Sequence, residues 1–194
     1  MARGTIKGTA FREFVVWVEA QRGAGALRAA LEGLPPALAG ELDPERPALG
    51  VLASSRYDVA LVHALLDALV RELPEREVEV LVGGAARATI LGMMHGLQKA
   101  AFALLVSPAR YPRIINVLWK LNYDSGRVEV TVHGPRCHEG VVTGWAGHHP
   151  LVCRINHQAK LTMYEVMGCR NVQVRQTACV SRGDADCRST VTWT

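Results

Sequence analysis

Four residues near the C-terminus have the types and spacing that metal binding requires: Cys153, His157, Cys179 and Cys187. Thiolates and imidazoles are the ligands of tetrahedral zinc sites, about four to an ion. Cys153 and His157 are four apart, which puts them on one face of a helix, one turn from each other. Cys179 and Cys187 flank a polar turn, SRGDAD. A turn centred on Gly183 sets the two cysteines opposite one another on antiparallel strands, with Cβ atoms about 5 Å apart. Two plainer fates fit the same spacing. Free cysteine is often buried as a small hydrophobe, and facing cysteines can form a disulfide. Metal ligation, burial and a disulfide all stay open on spacing alone.

The elements that would position these residues are readable. Residues 150–167 form an amphipathic helix, with Pro150 suited to its first turn and Gly168 to its C-terminal cap. Val172 and Val174 then alternate with polar neighbours, and CRSTVTW alternates again, so a β-hairpin follows the helix. Packing the helix on the hairpin would bring Cys153 and His157 to the hairpin pair.

The pattern Cys179, Gly183, Asp184, Cys187, Val191, Trp193, preceded by a helix closing on Gly168, resembles the 4-vinyl reductase domain. That small-molecule-binding domain is related to the TRAPP vesicle-tethering subunits and, more distantly, to haem nitric-oxide/oxygen-binding domains. The whole chain also resembles a myxobacterial family of single-domain proteins, through RGTIKGTAF, the helix at Tyr57, VLWKLNYDSGRVEV and the closing hairpin. In aromatic-sensing activators with this domain, a structural zinc is held by a helix cysteine, a glutamate and both hairpin cysteines. The resemblance carries that set onto Cys153, Gln176, Cys179 and Cys187. Gln176 is the departure, because a neutral amide is a poor zinc ligand. Either His157 or a water supplies the fourth ligand, or no metal binds. Strict alternation also sends Gln176 and Cys179 to opposite faces unless a bulge intervenes. The resemblance further implies a small apolar ligand and dimerisation through helices.

The rest of the chain sets the frame. With 194 residues, 49% hydrophobic and 21% charged, it suits one domain with a sizeable core. A charge of +4 and a pI near 8.9 without any Lys/Arg tract argue against a nucleic-acid partner. MARGTIKGTAF has no apolar region of a secretory signal. The most apolar window, 88–106, is broken by His95, Gln98 and Lys99 and is too polar to span a membrane. Five cysteines, an odd number, suit a reducing compartment, so the expected location is cytoplasmic.

Helices are expected at 10–22, with Phe11, Phe14, Val15 and Val18 on one face, and at 25–32. A connector follows at 33–50. Ser54, Ser55 and Asp58 are the start signal of a helix at 57–73, and a long one runs over 75–106 with a bend at Gly83 and Gly84. The next helix starts at Pro108, buries Ile114, Ile115, Leu118, Trp119 and Leu121, and is capped by Gly126. RVEVTVHG and HEGVVTGWAG read as edge strands. Residues 1–125 are thus mostly helical, and 126–194 give strand, strand, helix, strand, strand. The fold class is α+β, a helical bundle packed on a four-stranded antiparallel sheet in a single domain.

No G-x-S-x-G elbow, Walker loop or G-x-G-x-x-G fingerprint is present, and Asp184 and Asp186 read as turn residues, so no enzyme is expected. His148 and His149, with His133 and His138 nearby in sequence, have the types for a second metal site or an acid and base, but the plainer reading, as loop and strand-edge residues in solvent, is preferred. A ligand pocket is expected between helix 150–167, the sheet and the helix bearing Trp119, walled by Met94, Trp119, Tyr123, Trp145 and Tyr164. The expected function is a non-enzymatic sensor or adaptor binding a small apolar molecule, with zinc as the candidate cofactor and a homodimer as the candidate assembly. The first alternative is a TRAPP-like scaffold that binds a protein partner. The second is a haem-based gas sensor, with His95 as proximal ligand. Haem is not expected, because the Tyr-x-Ser-x-Arg signature of that family is missing; Ser54-Ser55-Arg56-Tyr57 is a scramble of it.

Overall fold

The computed structural model describes residues 4–93 and 106–194. Strand β1 (Thr5–Lys7) pairs antiparallel with β2 (Arg56–Asp58), and helix α1 (Gly8–Glu32) starts directly after β1. Phe11, Phe14, Val15 and Val18 face the core from α1 as their spacing requires. Gly23 takes φ 78°, a conformation that favours glycine, and this breaks α1 into the two expected pieces. The connector that follows contains a short helix α2 (Pro36–Ala39) and buries Leu42 and Leu49.

Helix α3 spans Val59–Val70, starting two residues later than expected because Arg56–Asp58 is a strand. Its cap is Asp58, whose carboxylate accepts from the Ala60 N–H at 2.8 Å. Helix α4 (Glu75–Gly92) has helical backbone through Gly83 and Gly84, so the expected bend is absent; the expected helix beyond 93 lies outside the described residues. Gly84 is there for packing, since a Cβ would overlap the Trp17 indole, whereas Gly83 faces open space. Gly84→Ala is therefore expected to cost about 1–3 kcal/mol. Gly83→Ala should instead stabilise by about 0.5–1 kcal/mol, both read by urea denaturation.

Helix α5 (Tyr111–Asn122) buries Tyr111, Ile115 and Trp119. Leu121, expected inside, is 61% exposed. Tyr123, not Gly126, caps α5; Gly126 (φ 72°) instead lets the chain pass Trp145, where a Cβ would lie 2.7 Å from that residue's Cα.

Strands β3 (Arg127–Gly134) and β4 (Cys137–Thr143), helix α6 (Pro150–Val166), and strands β5 (Gln173–Ala178) and β6 (Cys187–Thr192) complete the α+β fold. The sheet order is β3-β4-β6-β5, antiparallel throughout. β4 is interior rather than an edge, because β6 returns to pair with it. A bulge between Gln176 and Ala178 shifts the β5–β6 register and resolves the conflict between Gln176 and Cys179 that strict alternation poses. One apolar core fills the space among α1, α3 and α4; a second lies between α5, α6 and the sheet. Among the described residues, no helix is long and apolar enough to cross a membrane.

Candidate metal centre and ligand cavity

Helix α6 and the β5–β6 hairpin bring the three cysteines together. Pro150 stands in the first turn of α6, and Cys153 lies on its buried face, its N–H bonded to the His149 carbonyl at 2.8 Å. Across from it, Gly183 (φ 94°) turns the hairpin, and the Asp184 carboxylate accepts from the Cys179 N–H at 2.6 Å. Asp184 is thus not a merely solvated turn residue: it fixes the backbone of Cys179. The Val180 N–H donates to Cys187 Sγ at 3.3 Å.

Cys187 Sγ lies 3.9 Å from Cys153 Sγ and 3.7 Å from Cys179 Sγ. The fourth group at the cluster is His148, whose Nδ1 is 3.4 Å from Cys187 Sγ and 3.7 Å from Cys153 Sγ. With metal–sulfur bonds of about 2.3 Å and a metal–nitrogen bond of about 2.0 Å, a regular tetrahedron has edges of about 3.8 and 3.5 Å. The four separations centred on Cys187 and Cys153 match those edges, while Cys179 Sγ lies more than 4.8 Å from Cys153 Sγ or His148 Nδ1 and would have to close in to complete the set. Among the described residues, His148, Cys153 and Cys187 keep their ligand atoms within 4.8 Å of one another.

Burial raises Cys153 above the ordinary thiol range and pushes Cys187 up to about 12. Burial also acts to raise Cys179, but hydrogen bonds from Ser181 and the two other thiols bring it net below that range. Burial lowers His148, so its imidazole is held neutral with a lone pair to offer.

Neither expected fourth ligand bonds to a sulfur. His157 and Gln176 both border a small cleft beside Cys153 and Cys187. His157 Nε2 is buried with no hydrogen-bond partner among the described residues, and burial, Lys160 and Arg182 bring its pKa down to about 4. The structure corrects the reading of His148 as a solvent residue. The signal that could have found it is its place just before the Pro150 helix start, five residues from Cys153. His138 is corrected in the same way. It is 3% exposed, and its Nδ1 lies 2.6 Å from the Tyr164 hydroxyl. His133 is exposed, as expected.

A cavity of about 160 Å³ lies between β1, α1, α3, α4, α5, α6 and the inner face of the sheet. Its wall is overwhelmingly apolar, with Phe11, Phe14, Ile90, Ile115 and Ile155 prominent. Trp119 and Tyr123 are part of this wall. Trp145 borders the cleft at the thiols instead, and Tyr164 packs on Tyr111 and Trp193 in the core. Met94 and His95 lie outside the described residues. Val152, Asn156, Ala159 and Met163 form the α6 stripe that faces the cavity, a helical spacing that could have revealed it. Polar atoms on the wall come from Asn122, Asn156, Tyr123, Thr89 and Lys160.

No protein-family model and no curated protein matches the chain. Solved structures do. An H-NOX protein from S. oneidensis in the Fe(II)NO ligation state is 13% identical, with 97% of this chain and 99% of that chain covered at a TM-score of 0.67. The Fe(II) unliganded H-NOX protein from K. algicida is 12% identical, with 97% of each chain covered and a TM-score of 0.68. A mutant of the T. Tengcongensis H-NOX is 9% identical, with 97% of this chain and 98% of that chain covered and a TM-score of 0.69. At such identities the likeness establishes the fold. It supports the distant resemblance to haem nitric-oxide/oxygen-binding domains and lends none to the 4-vinyl reductase domain.

Proposed function

We propose that this chain is a non-catalytic sensor domain that binds a small molecule in the cavity between its helices and its sheet. The observation that carries this reading is the cavity itself: about 160 Å³ of apolar space in a fold shared with the H-NOX proteins across nearly the whole chain. An apolar cavity of about 150 Å³ elsewhere takes up benzene or xenon. The ligand class is therefore a compact apolar molecule about the size of one aromatic ring. Ala159→Leu should fill part of the space and abolish uptake of toluene, followed by quenching of Trp119 fluorescence, while the protein stays folded. Undiminished uptake in that variant would place the ligand elsewhere.

A haem-based gas sensor is the second reading, and the fold likeness favours it, since that S. oneidensis H-NOX protein was solved in an Fe(II)NO state. That likeness runs against the expectation that haem is absent. The described residues, however, supply the group with no histidine, cysteine or tyrosinate ligand. The described lining contains no histidine, cysteine or arginine. An axial ligand and cationic partners for the propionates are what a haem asks of its pocket, and Lys160 is the one cation in the described lining. Burial raises Tyr111 and pushes Tyr123 up to about 12, so neither is poised as a tyrosinate ligand. His95 is the remaining axial candidate. Haem added to the purified chain should give no Soret band; a Soret band that His95→Ala removes would make the gas-sensor reading the correct one.

The thiol cluster we assign to a structural metal, zinc by ligand type, held by Cys153, Cys179, Cys187 and His148. It would clasp α6 to the terminal hairpin beside the cavity wall.

A further inference from the structure

Lys160 lines both the ligand cavity and the cleft at the thiols. It follows Cys153 by seven residues on the same face of α6. Its Nζ donates to Ser189 Oγ at 2.8 Å, and Ser189 is fully buried on β6, two residues from Cys187. Among the described residues Lys160 pairs with no carboxylate, while the neighbouring arginines are committed elsewhere: Arg154 to Glu75 and Glu79, Arg188 to Asp186 and Glu139. A buried ammonium without an anion is costly. The cluster supplies the anion once it is loaded, because three thiolates, a neutral imidazole and a divalent zinc sum to one negative charge.

We propose that Lys160 is the counter-charge of the metal centre, its ammonium group neutralising the single negative charge that the loaded Cys153–Cys179–Cys187–His148 site carries. The proposal rests on the metal reading given above. Burial lowers Lys160 to about 8, and the three cysteines, when ionised, act to raise it, which is the direction a counter-charge requires. Outer groups of this kind tune metal affinity through the ligands they stabilise.

The test is a zinc titration against a chromogenic chelator, with the metal-free full chain as wild type, Lys160→Met and Lys160→Arg, alongside thermal unfolding of each metal-free protein. Lys160→Met is expected to weaken zinc about 10–100-fold, and Lys160→Arg to recover most of that loss. Without metal, Lys160→Met should unfold no earlier than wild type, because it removes a buried charge that has no anion. Zinc binding unchanged in Lys160→Met would overturn the counter-charge. So would a metal-free Lys160→Met destabilised in parallel with its loss of zinc, since that marks a structural role. Should Lys160→Met fail to fold, Lys160→Gln carries the same comparison. A wild type that binds no zinc overturns the metal reading and this inference together, whereas wild-type binding with an unaffected variant overturns the inference alone.

Discussion

Cys187→Ser is expected to remove the bound metal and, with it, a large part of the stability measured in the presence of zinc. Cys187 Sγ is the hub of the cluster, within 3.9 Å of both other sulfurs and 3.4 Å from His148 Nδ1. A serine hydroxyl keeps the volume but is a poor ligand for zinc. Free zinc at a thousandfold excess over its dissociation constant stabilises the folded chain by about 4 kcal/mol. The unfolding midpoint of the variant should thus fall by about 8–16 °C relative to zinc-loaded wild type, at about 2–4 °C per kcal/mol for this size. In chelator the two proteins should unfold within a few degrees of one another. Cys137→Ser is the control, because Cys137 pairs with Thr192 at the opposite end of β6 and should change neither metal content nor midpoint. Metal analysis by mass spectrometry with differential scanning calorimetry reads both quantities. Equal destabilisation of Cys187→Ser with and without zinc would reduce the cluster to packed thiols.

Trp119→Ala should cost about 3–5 kcal/mol, the range for emptying a large aromatic from a core. Trp119 is 6% exposed, its ring centroid sits 4.4 Å from that of Tyr123 and 5.0 Å from that of Trp145, and its indole N–H donates to the Ser125 carbonyl at 3.0 Å. The variant loses the apolar burial and both ring contacts, and leaves the Ser125 carbonyl without its donor. Because Trp119 also walls the cavity, the space grows, and a two-ring compound such as naphthalene should gain affinity relative to toluene. Trp119→Phe keeps a ring against Tyr123 and should lose less than half as much. Denaturant unfolding measures the cost. A loss below about 1 kcal/mol would mean that the aromatic cluster does not hold α5 to the sheet.

What was legible in the sequence was local. The face of α1, the amphipathic α6 and the alternating strands all follow periods of 3.6 or 2 that need no distant partner. Gly183 marked the hairpin turn, and the turn put Cys179 and Cys187 side by side. Even the bulge between Gln176 and Ala178 was signalled, as the condition for reconciling Gln176 with Cys179 on one face. What escaped was set by long-range packing. The three-residue strands β1 and β2 are too short for alternation to register, and they form only because the start of α1 and the start of α3 are neighbours. His148 carries no periodic signal in its loop and becomes half-buried only when Cys153 and Cys187 close around it. Gly84 looked like a hinge and is a contact point, because Trp17 of another helix decides the matter. The cavity is a void, and a void depends on side chains from eight elements failing to fill one place, which no single stretch encodes.

The most direct test of the sensor reading is a calorimetric titration of the purified chain with toluene at several temperatures. Saturable binding of one molecule per chain with a negative heat-capacity change, lost in Ala159→Leu, is the predicted result. No saturable heat up to the solubility limit of toluene, with an unfolding midpoint that toluene leaves unmoved, would contradict it.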